Sequence, residues 1–400
     1  MRNTTLSLGF IPLVDAAPLI VAQEMGFASQ EGLTLDLKRA PSWSSLRDML
    51  SFGQVDAAHM LAPVPVAAAL GLGNAGMALD AIMVTSINGN VIGVGKDLAD
   101  HLVDQGHDFD FTDATKAGHA LTAGRTTPLK IGVPFPFSMH AQLLFYWLNA
   151  LGLPAPDHVE IKTVPPALMA DALAAKEVDA FCVGEPWGSI SVDQSQGSLL
   201  LPGSAIWQRA PEKVLAVRRN WADTETDLAQ RLIRAIWRAC QWLADPGSRL
   251  LTAELLARKA YLDRPTEIID RALSGTFTVT PNGVQRHADE FLDFHTGAAN
   301  FPWRSQAQWI AMQLALRVGL GQTHAAKAAG TVFRSDIYRA ALRGITPDLP
   351  GASSKLEGAN AAWTSVASES GSLTLPPDRF FDGSIFDPSE TTRLKNRQLS

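Results

Sequence analysis

The sequence predicts an α/β protein of two similar lobes with a ligand cleft between them, followed by a helical extension. Three observations carry this reading. A phrase recurs, "LSFGQVDAAHMLAPVP" at Leu50–Pro65 and "LAAKEVDAFCVGEPWG" at Leu173–Gly188; each copy has an amphipathic lead-in, Val-Asp-Ala, an apolar run and a proline. Strand, helix, strand, helix, strand is the order around both copies. At 400 residues the chain also exceeds what one ordinary core organises. Residues 1–92 are expected to begin lobe one and 93–205 to form lobe two. Residues 206–400 return to lobe one and add the helical extension.

Each element has a local reason. "TLSLGF" alternates as a strand, and Pro18 to Ser29 reads as a helix. Gly32 punctuates, and "LTLDLK" alternates again. In "SWSSLRDMLSF" the apolar Leu46, Met49 and Leu50 follow helical spacing, and "VDAAHM" is the strand after it. A helix near 64–70 and a strand at 82–87 complete the first unit. The second unit has the strand "LKIGVP", the helix "MHAQLLFYWLNALG", the strand "VEIKTV", the helix "PALMADALAAKE" and the strand "VDAFCV". The repeated phrase therefore takes one topological slot in both lobes. Residues 97–127, rich in His, Asp and Gly, are expected to be helical with loops. Helices are expected at 223–244, 249–259, 265–275 and 301–319, and the Gly-, Ser- and Ala-rich 350–378 as a surface wrap.

Composition removes several function classes. Hydrophobic residues make up 46% and charged residues 18%, which suits a globular protein with a sizeable core. A formal charge of −6 offers no basic footprint, so no direct nucleic-acid contact is expected. Cys182 and Cys240 lie in apolar or helical contexts and are expected to be reduced and buried. No stretch approaches a charge-free membrane span. No iron-binding cysteine motif, Ser-His-Asp pattern or metal spacing is present, so neither an enzyme nor a cofactor is expected. "MRNTTLSLGFIPL" enters the first strand without an apolar signal core, which gives a cytoplasmic expectation.

Two facing α/β lobes bind ligands near strand carboxyl ends and helix amino ends. In "PSWSSLRD" Ser42 is an expected helix N-cap with Trp43 in the first turn, and in "PFPFSMHAQ" Ser138 and His140 repeat this. "INGNVIG" ends a strand at a turn beside Asn90. "VGEPWG" follows a strand with Gly184, Glu185 and Pro186, and "PEKVLAV" sets Lys213 just before a strand returning to lobe one. Alone, each has an ordinary structural explanation. Together, all five places are element ends expected to face one cleft.

The stretches "IPLVDAAPLIVAQEMGF", "PSWSSLRDMLSFGQVDAAHMLAPVPVAAALGLG", "VGEPW" and "PEKVLAV" closely resemble nitrate-binding proteins of ABC transporters. "WADTETDLAQRLIRAIWRACQWLADPGSR", "FHTGAANFPWRSQAQW" and "FRSDIYRAAL" extend the likeness nearly end to end. The resemblance implies a type II periplasmic-binding-protein fold. It implies nitrate or nitrite as ligand, held by Trp43, Asn90, His140, Glu185 and Lys213 with backbone from Gly184 and Pro186. Asn90 stands where some members carry the longer Gln. Lys213 would supply the positive charge, while Glu185 would orient Lys213 or His140, or contribute through its backbone. With no leader seen, the chain resembles the cytoplasmic nitrate/nitrite sensors (NasS-like). That branch implies a partner: an RNA-binding antitermination response regulator (ANTAR-type, NasT-like), held inactive until the anion binds. The alternative is a periplasmic nitrate or bicarbonate substrate-binding protein of an ABC transporter.

Overall fold

The computed structural model describes residues 3–73, 76–122, 127–155, 157–346 and 348–390. The repeated Val-Asp-Ala phrase has the same physical role in both halves. Asp56 accepts a hydrogen bond from the backbone N–H of Ser7 at 2.8 Å and donates its own N–H to the Ser7 carbonyl. Asp179 does the same with Lys130, at 3.0 and 2.8 Å. In each lobe the aspartate thus satisfies backbone groups where the phrase's strand joins the lobe's first strand. The preceding Val55 and Val178 are buried beneath.

Lobe one begins with β1 (Thr4–Phe10), α1 (Ala17–Glu24), α2 (Phe27–Gln30) and β2 (Leu33–Arg39). The single helix expected over Pro18 to Ser29 is two, because Gly26 takes φ 77° and breaks the run. Next come α3 (Trp43–Ser51), β3 (Ala57–Leu61), α4 (Pro63–Ala69) and β4 (Leu79–Asn88). The chain crosses at Gly89 into β5 (Asn90–Gly95), which with α5 (Lys96–Asp104) and α6 (Ala114–Thr122) leads into the second lobe. Residues 123–126 of the expected 97–127 segment lie outside the described residues. Then follow β6 (Leu129–Val133), α7 (Met139–Ala150), β7 (Val159–Thr163) and α8 (Met169–Ala174). β8 (Ala180–Gly184), α9 (Trp187–Asp193) and β9 (Gly197–Pro202) close that lobe, and β10 (Pro211–Arg218) returns to the first.

The two sheets share one plan. The first runs β2-β1-β3-β10-β4, the second β7-β6-β8-β5-β9. In both, the phrase's strand lies parallel to the first strand and antiparallel to a strand from the crossing chain. The opening repeat is thereby explained as one topology used twice.

The extension supplies α10 (Arg219–Thr224), α11 (Thr226–Leu243), α12 (Arg249–Ala257) and α13 (Thr266–Ser274). After them come β11 (Thr276–Thr278), β12 (Gln285–His287) and β13 (Leu292–Asp293), the last on the edge of the first sheet beside β4. Finally come α14 (Arg304–Val318), α15 (Gln322–Ala329), α16 (Ser335–Leu342), and a hairpin of β14 (Thr364–Ala367) and β15 (Ser372–Leu375). The expected wrap over 350–378 contains this hairpin. It is anchored by Lys355, which bridges the buried carboxylates of Glu357 and Asp378. Among the described residues no helix is long and apolar enough to cross a membrane. Cys182 and Cys240 are buried thiols, as expected.

The two crossings between lobes are tied together. Asn88 and Gly89 have φ 56° and 97°, a turn that suits the Asn-Gly pair. The Asn88 amide donates to the Gln208 carbonyl at 2.6 Å and accepts from the Ala210 N–H at 3.1 Å.

Candidate ligand site between the lobes

Two serine-capped helices, one from each lobe, start near one another where the lobes meet. Ser42 accepts from the Ser45 N–H at 3.2 Å and Ser138 from the Ala141 N–H at 3.1 Å, which are the expected N-caps. Capping fixes the first turns, and these carry Trp43 and His140, each only 1% exposed. Lys213 lies within β10 rather than ahead of it, and is fully buried. Its ammonium sits 5.6 Å from the centre of the Trp43 ring, a cation–π contact worth about 2 kcal/mol when desolvated.

Three further residues complete the cluster. Lys213 Nζ donates to Asp15 Oδ2 at 2.6 Å and to Glu212 Oε1 at 3.0 Å. His59, on β3, places Nε2 3.4 Å from Asp15 Oδ1, and its ring centre lies 6.4 Å from that of Trp43. On the far side, His140 Nδ1 is 3.2 Å from Glu212 Oε1, and the Asn90 amide donates to Glu212 Oε2 at 2.7 Å. Asn90 packs so closely on the second crossing that a Cβ at Gly203 would lie 1.8 Å from its Oδ1. Gly203 thus leaves the room that the Asn90 amide occupies.

The structure brings Trp43, Asn90, His140 and Lys213 together and separates Glu185 from them. The Glu185 carboxylate turns back to accept the Ser189 N–H at 3.2 Å on α9. The carboxylate that meets Lys213 and His140 is Glu212. Burial pushes the Glu185 carboxyl up to about 7. The Glu185 backbone, Gly184 and Trp187 contact lobe one. Val14 N–H donates to the Glu185 carbonyl at 2.9 Å, and the Trp187 indole donates to the Pro12 carbonyl at 3.2 Å. A Cβ at Gly184 would press on Leu13 at 3.3 Å, and the Glu185–Pro186 peptide is cis at the start of α9.

Electrostatically the cluster is a charged lysine flanked by carboxylates and two neutral imidazoles. Burial pulls Lys213 down, but Asp15 and Glu212 outweigh it and hold the ammonium above the usual lysine range. Burial, helped by Lys213, brings His59 down to about 4 and His140 well below the usual histidine range. Burial raises Glu212, opposed by Lys213. The Trp43 indole nitrogen and all four imidazole nitrogens of His59 and His140 are buried without a hydrogen-bond partner among the described residues. Such groups are costly unless something pairs with them. Chemically, the site holds one fixed positive charge between two carboxylates, with several buried N–H groups beside it.

The chain is similar to known proteins over nearly its whole length. The nitrate/nitrite binding protein NrtA of Synechocystis is 29% identical over 397 residues, covering 96% of this chain and 82% of the relative. The nitrate import ATP-binding protein NrtC of the same organism is 34% identical over 320 residues, 79% of this chain. This chain spans only about half of that relative's length, 46%. The crystal structure of the periplasmic nitrate-binding protein NrtA from Synechocystis superposes with a TM-score of 0.83 at 26% identity. It covers 98% of this chain and 97% of that one. The architecture is therefore the two-lobed periplasmic-binding-protein fold. The model of the NMT1-like family matches residues 1–257, well over half of the sequence, and the protein belongs to the NMT1-like family.

Proposed function

We propose that this protein binds nitrate or nitrite in the cleft between its lobes, as a receptor rather than an enzyme. The observation that carries the reading is the fully buried Lys213 ammonium surrounded by the unpartnered N–H groups of Trp43, His59 and His140. A planar monoanion offers three acceptors to such donors, and the ammonium is the cluster's positive charge beside it. Similarity to NrtA adds support for this ligand class. Calorimetric titration with nitrate, nitrite and bicarbonate tests it. One-to-one binding of nitrate or nitrite with Kd on the order of 1 μM, about −8 kcal/mol, is expected. Binding of bicarbonate alone would overturn the ligand assignment.

The finer reading concerns what the bound form does. Ligand contacts come from both lobes, Trp43, His59 and Lys213 from one, Asn90 and His140 from the other, so an anion stabilises lobe closure. In the sensor reading, the open form holds an antitermination response regulator in the cytoplasm and the closed form releases it. In the transport reading, which the nitrate-import relatives support, the closed form delivers its anion to a membrane permease. Pull-down of the regulator with and without nitrate separates the two. The sensor reading expects nitrate to weaken the complex at least fivefold, a coupling of about 1–3 kcal/mol. A complex indifferent to nitrate, or no complex, leaves the transport role.

A further inference from the structure

We propose that the anion enters this site together with a proton, and that the pair His140–Glu212 is what takes the proton up. The inference rests on the nitrate or nitrite reading above and adds a second ligand to it.

The argument is a charge count in a dry site. Facing the cluster are Asp15 from the turn before α1, Trp43 from α3, His59 from β3 and Asn90 from β5. His140 from α7, Cys182 from β8, and Glu212 and Lys213 from β10 complete it. All are at most 2% exposed. With both imidazoles and the thiol neutral, one ammonium faces two carboxylates, a net charge of −1. A monoanion added without compensation makes it −2 in a place where water cannot screen it, which costs several kcal/mol. One proton restores the original count.

Geometry chooses where that proton goes. Lys213 lies nearer to Asp15, at 2.6 Å, than to Glu212, at 3.0 Å, so Glu212 is the less neutralised carboxylate. His140 Nδ1 lies 3.2 Å from Glu212 Oε1 with no hydrogen bond between them. A proton placed between them serves both groups, and its titration belongs to the pair. His140 Nε2 remains free to donate to the anion. Burial raises the glutamic acid, which favours its taking up the proton, and lowers the imidazole, which disfavours an imidazolium. Nitrate is the anion of a strong acid and cannot carry the proton itself.

Linkage gives the sign. A complex that holds one more proton than the free protein plus anion binds more weakly as pH rises. Titration of the intact protein with potassium nitrate, in buffers of different ionisation enthalpy between pH 6 and 8, reads the proton number directly. About one proton taken up per nitrate is expected, with Kd weakening up to about tenfold per pH unit. Glu212→Gln should abolish the uptake, flatten the pH profile and bind nitrate more tightly than the parent at pH 8. Should that variant fail to fold, infrared difference spectra of the unaltered protein serve instead. Nitrate should bring up a protonated-carboxyl or imidazolium band. Tight nitrate binding with identical heats in all buffers and no such band would overturn the proposal while leaving the nitrate reading intact. No binding at any pH would remove both.

Discussion

Lys213→Ala is expected to weaken nitrate binding by a factor between roughly thirty and several thousand, about 2–5 kcal/mol. Among the described residues the ammonium is the only cation whose contacts place it in the cluster, and the anion would otherwise be buried beside two carboxylates. The same substitution should lower stability without any ligand. It leaves Asp15 and Glu212, 2% and 0% exposed, with no counter-charge, and breaking a buried pair in this way costs about 3–5 kcal/mol. These two losses can be separated. Combining Lys213→Met with Asp15→Asn and Glu212→Gln removes the orphaned charges and should recover much of the melting temperature, but not the affinity. Calorimetry for Kd and thermal unfolding without nitrate check the two halves. A Lys213→Ala protein that binds nitrate like its parent would move the ligand out of this cleft.

Half of the site was legible in the sequence because helix N-caps are local. A serine ahead of an amphipathic run announces a first turn, so Trp43 and His140 could be placed at helix starts before any tertiary information. Asp15, His59 and Glu212 carry no such mark. Asp15 sits in "VDAAP" and reads as an acid favourable to a helix start. His59 is embedded in the apolar strand "AAHML", where a satisfied core histidine is the ordinary reading. Glu212 is hidden by the pleat. Neighbours on a strand point to opposite faces, so Glu212 and Lys213 should not meet the same ligand. Both nevertheless reach one cluster, because the β10 pairing with β4 shifts register between Pro211 and Lys213 and again between Lys213 and Val214. Such irregularity re-aims side chains, and no periodicity in "PEKVLAV" records it. The fold itself was easier to read: both lobes follow hydrophobic alternation, and the shared Val-Asp-Ala phrase marks the equivalent strand in each.

Phe380→Ala is expected to cost about 3–5 kcal/mol of stability and, with it, to loosen the lobes. The ring is 3% exposed and stacks on Trp207 at 4.7 Å and on Trp309 at 5.7 Å, with interplanar angles of 27° and 23°. Trp207 belongs to the second crossing between lobes, and Trp309 to α14 of the extension. Phe380 also packs at 5.2 Å on Tyr146, which lies on α7 of lobe two. The flanking strap reinforces the joint. Phe381 N–H donates to the Ile206 carbonyl at 2.9 Å, Gln208 N–H to the Arg379 carbonyl at 3.0 Å, and Tyr146 Oη to Asp382 Oδ1 at 2.8 Å. One aromatic ring therefore joins the extension, a crossing and the helix that carries His140. Removing it should raise the population of open lobes, so nitrate affinity falls by the fraction of closing-competent protein lost. Small-angle scattering should show a larger radius of gyration for the ligand-free variant than for the parent, reduced again by nitrate. Phe380→Leu should keep most of the packing and fall between the two. A Phe380→Ala protein with a lower melting temperature but unchanged radius and Kd would make this cluster ordinary core, and leave the two crossings alone to govern closure.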